Sequence, residues 1–158
     1  YFKFLSKKKG ANSWLQLSNQ TTYKVWSGFA FENVGRKHIP QIKQALGING
    51  IITQEYTWFF QGKKDQKGAQ IDLVIDRSDN CINLLEIKFY NSELSIDKSY
   101  AEQLVQKIAV FREHTRTKKN IYLTFLSTFG VKKNKYYLSL NSNQIQIDPL
   151  FEEVREIG

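Results

Sequence analysis

Apolar side chains along this chain recur at two periods, and the switches between them mark out an alternating series of elements. Residues 1–25 are polar and lysine-punctuated, with Lys7, Lys8 and Lys9 ahead of Gly10 and one apolar patch at Trp14 and Leu15. They read as an irregular connector with room for a short helix. From Ser27 the spacing turns helical: Phe31, Val34, His38, Ile42 and Ala45 share a stripe. Ser27 is the expected N-cap, Pro40 splits the run and Gly47 stops it. Residues 50–61, rich in β-branched and aromatic side chains, predict a strand. A loop from Gly62 to Gly68 carries Lys63, Lys64 and Lys67, and two further strands are expected over 69–77 and 81–90, joined by Ser78, Asp79 and Asn80.

The second half continues the alternation. Asp97 caps a helix to about His114 whose apolar stripe is Ala101, Leu104, Val105, Ile108 and Phe111. Residues 120–128 form a continuous apolar run, as in a buried strand. After Lys132, Lys133 and Lys135, the stretches Tyr136–Asn141 and Gln144–Ile147 predict a hairpin-like pair, and a short helix is expected near Pro149. Helix, three strands, helix, strand and a terminal extension make an α/β fold: a mixed central β-sheet flanked by helices.

One hairpin concentrates the chemistry. A three-residue turn at 78–80 pairs Arg77 with Cys81, which sets Asp72 directly opposite Glu86. Lys88 then shares their face, because strand side chains alternate with a period of two. Ile71, Leu73, Leu85, Ile87 and Phe89 fall on the other face and can pack on a helix. A turn one residue longer would separate the carboxylates. Facing carboxylates repel, so the cluster points to a divalent cation. The competing reading is a cross-strand ion pair on a solvated sheet face. Asp76, nearer the turn, is an alternative ligand.

Composition narrows the class. The 158 residues suffice for one domain with a real core, and 41% hydrophobic and 14% aromatic content exclude a disordered chain. Twenty-three Lys and Arg against 15 Asp and Glu leave +8, which favours a polyanionic partner, nucleic acid first. A single cysteine, Cys81, excludes a disulfide framework and fits a reducing, cytoplasmic compartment. No apolar run reaches membrane-spanning length and no signal peptide is evident, so no membrane partner is expected. His38 and His114 lack zinc spacing. Trp58, Phe59 and Phe60 read as core. The chain starts at Tyr1 and contains no Met, so it is expected to be a piece of a longer protein, with 1–26 a connector from a missing upstream region and 27–158 the domain.

Asp72 within one strand and Glu86-Ile87-Lys88 at the end of the next resemble the PD-(D/E)xK nuclease superfamily, and the element order from about 27 to 148 is similar to its restriction-endonuclease-like core. Ile71 stands where that motif has its nominal proline. More narrowly, Gly-Phe-Ala-Phe-Glu32-Asn, Gly-Ala-Gln-Ile-Asp72 and Leu-Leu-Glu86-Ile-Lys88-Phe look like the C-terminal nuclease-like domain of a family of prokaryotic AAA-type ATPases. No phosphate-binding Gly-x-x-x-x-Gly-Lys-Ser/Thr loop is present in the sequence, so an ATPase module would lie upstream in the full-length chain.

The resemblance implies Mg²⁺- or Mn²⁺-dependent hydrolysis of phosphodiesters, with DNA as the expected substrate. Asp72, Glu86 and the Ile87 carbonyl would bind the metal, and Lys88 would orient water or stabilise charge at phosphorus. Glu32 matches an acidic residue that many members place near the metal. Gln103 and Lys107, four apart on the second helix, are candidates for contacts to the phosphate or to the metal's other ligands. Homo-oligomerisation is a further expectation, since many such nucleases act as dimers. A catalytically silent nucleic-acid-binding or regulatory module on the same fold is the alternative.

Overall fold

The computed structural model describes residues 21–155, so the Lys7–Lys9 cluster and the Trp14 patch lie outside the described residues. Helix α1 spans Thr21–Lys37 and α2 spans Ile39–Ala45. Then come β1 (Thr53–Phe60), β2 (Ala69–Arg77), β3 (Cys81–Lys88), α3 (Lys98–Thr115), β4 (Asn120–Ser127), α4 (Lys135–Ser139), β5 (Ser142–Gln146) and a 3₁₀ turn at Asp148–Phe151. The strands form one five-stranded sheet in the order β1-β2-β3-β4-β5. β1, β2 and β3 pair antiparallel, whereas β3, β4 and β5 pair parallel. The fold is α/β, with a mixed sheet flanked by helices. No described helix is long and apolar enough to cross a membrane.

Each face of the sheet has its own core. On one, Leu73, Ile75, Leu85, Ile87, Leu126 and Ile145 pack against Phe31 of α1, Ile42 of α2 and Leu150. On the other, Leu123 and Phe125 meet Ala101 and Leu104 of α3 and Tyr137 of α4, while Ile71, Val74, Ile82 and Leu84 surround Phe111 of α3. Gly35 lets α1 lie close to the sheet: a Cβ there would sit 2.9 Å from Ile87 Cδ1 and 3.0 Å from Leu126 Cδ2.

Several sequence expectations shift in the structure. α1 already includes Thr21, ahead of Ser27; the Ser27 hydroxyl donates to the Tyr23 carbonyl at 2.8 Å inside the helix and does not cap it. The first described helix therefore includes 21–26, which the pattern assigned to the connector. Pro40 splits the run as expected, in the first turn of α2, where its missing N–H costs nothing. Asp97 caps α3, accepting from Tyr100 N–H at 2.7 Å, but Val105 is 57% exposed and leaves the stripe.

The expected hairpin near the C-terminus is not formed. Asn134 accepts from the N–H groups of Tyr136 and Tyr137, which starts α4, and β5 then joins β4 in parallel. A parallel pair needs a crossover, and α4 supplies it.

Candidate active site

The β2–β3 register follows the turn arithmetic. Asp76 pairs with Ile82, Ile75 with Asn83, Val74 with Leu84 and Leu73 with Leu85, where the ladder ends. Asn80 closes the turn with φ of 64°, a left-handed conformation that asparagine tolerates well.

A bulge alters the next step. Tyr56 of β1 faces Val74 and Trp58 faces Ile71, so Thr57 alone opposes Asp72 and Leu73. An extra residue in β2 breaks the alternation there and re-aims a side chain. Ile71 therefore joins Val74 and Phe111 on the α3 face instead of following Leu73, contrary to simple alternation. Asp72 turns toward β3, and its Oδ2 accepts the Ile87 N–H at 2.8 Å.

The site is buried. Asp72 is 6% and Glu86 2% exposed, which removes the reading of a solvated cross-strand pair. Lys88 Nζ lies 3.0 Å from Glu86 Oε1, and Lys107 Nζ, reaching from α3, lies 2.5 Å from Oε2. The Tyr100 hydroxyl donates to Glu86 Oε1 at 3.3 Å. Glu32 of α1 is held by Arg36 at 3.0 Å, and Arg36 Nε makes a long contact of 3.5 Å to the Asp72 carbonyl.

Electrostatics distinguish the two carboxyls. Burial, and then the Glu86 charge, raise the Asp72 pKa from an ordinary 3.8 to about 6, with a smaller push from Glu32. Burial also pushes Glu86 upward, but Lys107 and Lys88 together outweigh it and hold Glu86 below the usual range. For Lys88 burial favours the neutral amine, yet Glu86 and then Asp72 prevail and its pKa is raised. The phenol of Tyr100 is pushed up by burial and by Glu86 beside it.

Of the residues singled out from sequence, Asp72, Glu86, Ile87, Lys88 and Lys107 converge directly, and Glu32 is near enough for its charge to act on Asp72 and Lys88. Gln103 does not join them; it is exposed on α3. Asp76 is engaged elsewhere, with Lys119 Nζ at 2.6 Å. Trp58 packs edge-on against Phe111 and Phe60 stacks on His114, but Phe59 is 67% exposed. Tyr100, Arg36 and Ser127 were not legible as site residues. Tyr100 lies two helical turns before Lys107 and hence on the same face, which is a usable signal.

Ser127 is the most telling of the three. It pairs with Lys88 across the β3–β4 ladder, and side chains so paired share a face. Its hydroxyl is buried and is the one buried side-chain polar atom among the described residues without a partner. A buried orphan of this kind calls for a water or ligand.

Among the described residues, no three Asp, Glu, His or Cys side chains gather closely enough to hold a metal alone. Mg²⁺ does not require that, since it binds through one or two carboxylates and keeps several waters. Asp72, destabilised as an anion, and Glu86 supply two carboxylates that fit such a cation, and the orphaned Ser127 hydroxyl lies on the face that Lys88 shares.

Comparison with known proteins finds no matching family model and no matching curated protein. Among solved structures, the crystal structure of a protein of unknown function, AF1548, is similar, with 17% identity and a TM-score of 0.48. The match covers 70% of this chain and 56% of that one, so the chain spans little more than half of that protein's length.

Proposed function

We propose that the chain is a Mg²⁺- or Mn²⁺-dependent nuclease domain of the PD-(D/E)xK type, with a restriction-endonuclease-like core, hydrolysing phosphodiester bonds in DNA. The observation that carries this reading is the buried convergence of Asp72, Glu86 and Lys88 at the end of β3, with the β2 bulge turning Asp72 into place. Asp72, Glu86 and the Ile87 carbonyl would hold the metal. When bound, the metal supplies Lewis acidity and a water of lowered pKa. Lys88, a cation held by Glu86, offers charge and a hydrogen bond to the phosphoryl oxygens. Lys107 and Tyr100 fix the Glu86 carboxylate, while Arg36 holds Glu32 beside the cluster. Such a domain would act inside the cell, in the cytoplasm, coupled to an ATPase module of the same full-length chain and as a monomer or homo-oligomer.

The test is cleavage of single- and double-stranded DNA with Mg²⁺ or Mn²⁺ by the wild type, Glu86→Ala and Lys88→Ala. Metal-dependent cleavage lost in both variants is expected. Salt-sensitive DNA binding by the wild type without metal-dependent cleavage would overturn the enzyme reading.

That outcome has its own support. Both Glu86 oxygens are already occupied by Lys88, Lys107 and Tyr100, a closed network that favours a silent nucleic-acid-binding or regulatory module as the second reading.

A further inference from the structure

Directly beyond Lys88 the chain leaves the sheet and lines a cleft with the start of α1. Tyr23 and Lys24 form one wall, and Phe89, Tyr90, Asn91 and Ser92 form the other, around about 400 Å³. That volume falls within the range of ~300–1,000 Å³ of small-ligand pockets and has room for one nucleotide.

The cleft is preformed. Both main-chain groups of Tyr90 are tied to one side chain: its N–H donates to Thr128 Oγ1 at 3.0 Å, and the same hydroxyl donates to its carbonyl at 2.5 Å. Phe89 is anchored in the core, edge-on to Phe31 with ring centroids 6.0 Å apart. Tyr90 remains 44% exposed, an aromatic face presented on a fixed backbone. Phe89 and Tyr90 follow Lys88 directly at the end of β3, and Lys88 Nζ lies 3.0 Å from Glu86 Oε1, so the cleft adjoins the carboxylate cluster.

We infer that this cleft stacks one unpaired nucleobase of a DNA strand whose neighbouring phosphate lies at the Asp72–Glu86–Lys88 cluster. The inference rests on the nuclease reading and narrows its substrate to single-stranded, flapped or frayed DNA. Tyr90 and Phe89 offer aromatic surface that suits any base, Asn91 and Ser92 can meet a base edge, and Lys24 supplies charge for a flanking phosphate. A base inside an intact duplex is stacked and paired, and reaching the cleft would require its extrusion.

The experiment measures binding by fluorescence anisotropy in EDTA, at fixed salt, of labelled oligothymidylate and an abasic strand of equal length and charge. Base–aromatic stacking of ~1–3 kcal/mol corresponds to a preference of about 5- to 150-fold for the strand with bases. Tyr90→Ala should abolish most of that preference and Tyr90→Phe retain it, while binding of the abasic strand stays unchanged in both. Quenching of 2-aminopurine on binding to the wild type provides a readout that needs no variant. Equal affinity of the wild type for both strands overturns the inference, as does an undiminished preference in folded Tyr90→Ala. Cleavage assays on the same preparations separate the two readings. Cleavage without base preference removes the stacking site and leaves the nuclease; base preference without wild-type cleavage removes the nuclease and keeps the cleft as a strand-binding site.

Discussion

Two polar clusters are buried on the same central sheet, and they are satisfied in different ways. Near the β2–β3 turn, Asn83 is 1% and Thr124 0% exposed, yet every partner is in place. Asn83 Nδ2 donates to Thr124 Oγ1 at 3.1 Å, Thr124 donates to Asn143 Oδ1 at 2.8 Å, and Arg77 donates to Asn83 Oδ1 at 3.0 Å. At the other end of β3 the buried groups are charged. Asp72 is pushed toward its neutral form by burial and by Glu86, and the Ser127 hydroxyl beside Lys88 has no partner among the described residues. The first cluster is internally complete and ties four strands, β2 to β5, together. The second leaves the Ser127 hydroxyl unspent and sets burial against the charge of Asp72, the two features on which the proposed metal site draws.

The largest expected effect separates the clusters by activity. Glu86→Ala is expected to lower metal-dependent cleavage by about 10²–10³-fold or more, the scale of losing one well-placed charge-stabilising group. Asn83→Ala should leave cleavage per folded molecule unchanged. Comparable losses in both variants would break the distinction.

Stability comes next. Asn83→Ala leaves the buried Thr124 hydroxyl and the half-buried Arg77 guanidinium one partner short, at a cost of about 1–3 kcal/mol in urea denaturation. A cost within error of zero would mean that water replaces the lost partner and the network is not closed.

The conflict at Asp72 has a signature in pH. Its folded pKa of about 6 lies above the ordinary 3.8, so the folded state holds the proton more tightly than the unfolded chain. Its contribution to the stability of the metal-free protein is therefore full below about pH 3.8 and lost as pH rises through about 6. Glu86→Gln removes the second-largest cause of the shift, so carboxyl NMR in EDTA should show the Asp72 midpoint moving down. An unmoved midpoint would mean that burial alone sets it.

The smallest effect belongs to Lys119, whose partly exposed ammonium meets Asp76 at 2.6 Å at the turn end. Lys119→Ala should cost less than about 1 kcal/mol by thermal melting and leave cleavage intact. A larger loss would extend the tight network out to the surface.

Much of this was legible from the chain. The three-residue turn set the β2–β3 register, as the Leu73–Leu85 pair bears out, and Asp97 placed the start of α3. Turn length and capping are local, so a window of a few residues contains the information. The strand face of Ile71 was misread because the bulge arises from pairing with β1, a partner more than ten residues away in sequence. Val105 was misread because periodicity marks a stripe without its width. Tyr136–Asn141 failed as a strand because the Asn134 cap and a parallel partner outweighed its β-prone side chains.

Sequence alone determined the helices and strands as far as β4, an α/β fold with a mixed sheet, and the nearness of Asp72, Glu86 and Lys88, because hydrophobic period and turn length are properties of adjacent residues. Only the tertiary structure decided that the cluster is buried, that Lys107 and Tyr100 close on Glu86 from α3, and that Ser127 is left without a partner. Those contacts join segments brought together by the packing of α3 and β4 on β3. Burial and pKa depend on everything that packs around a group, and no local pattern along the chain records that.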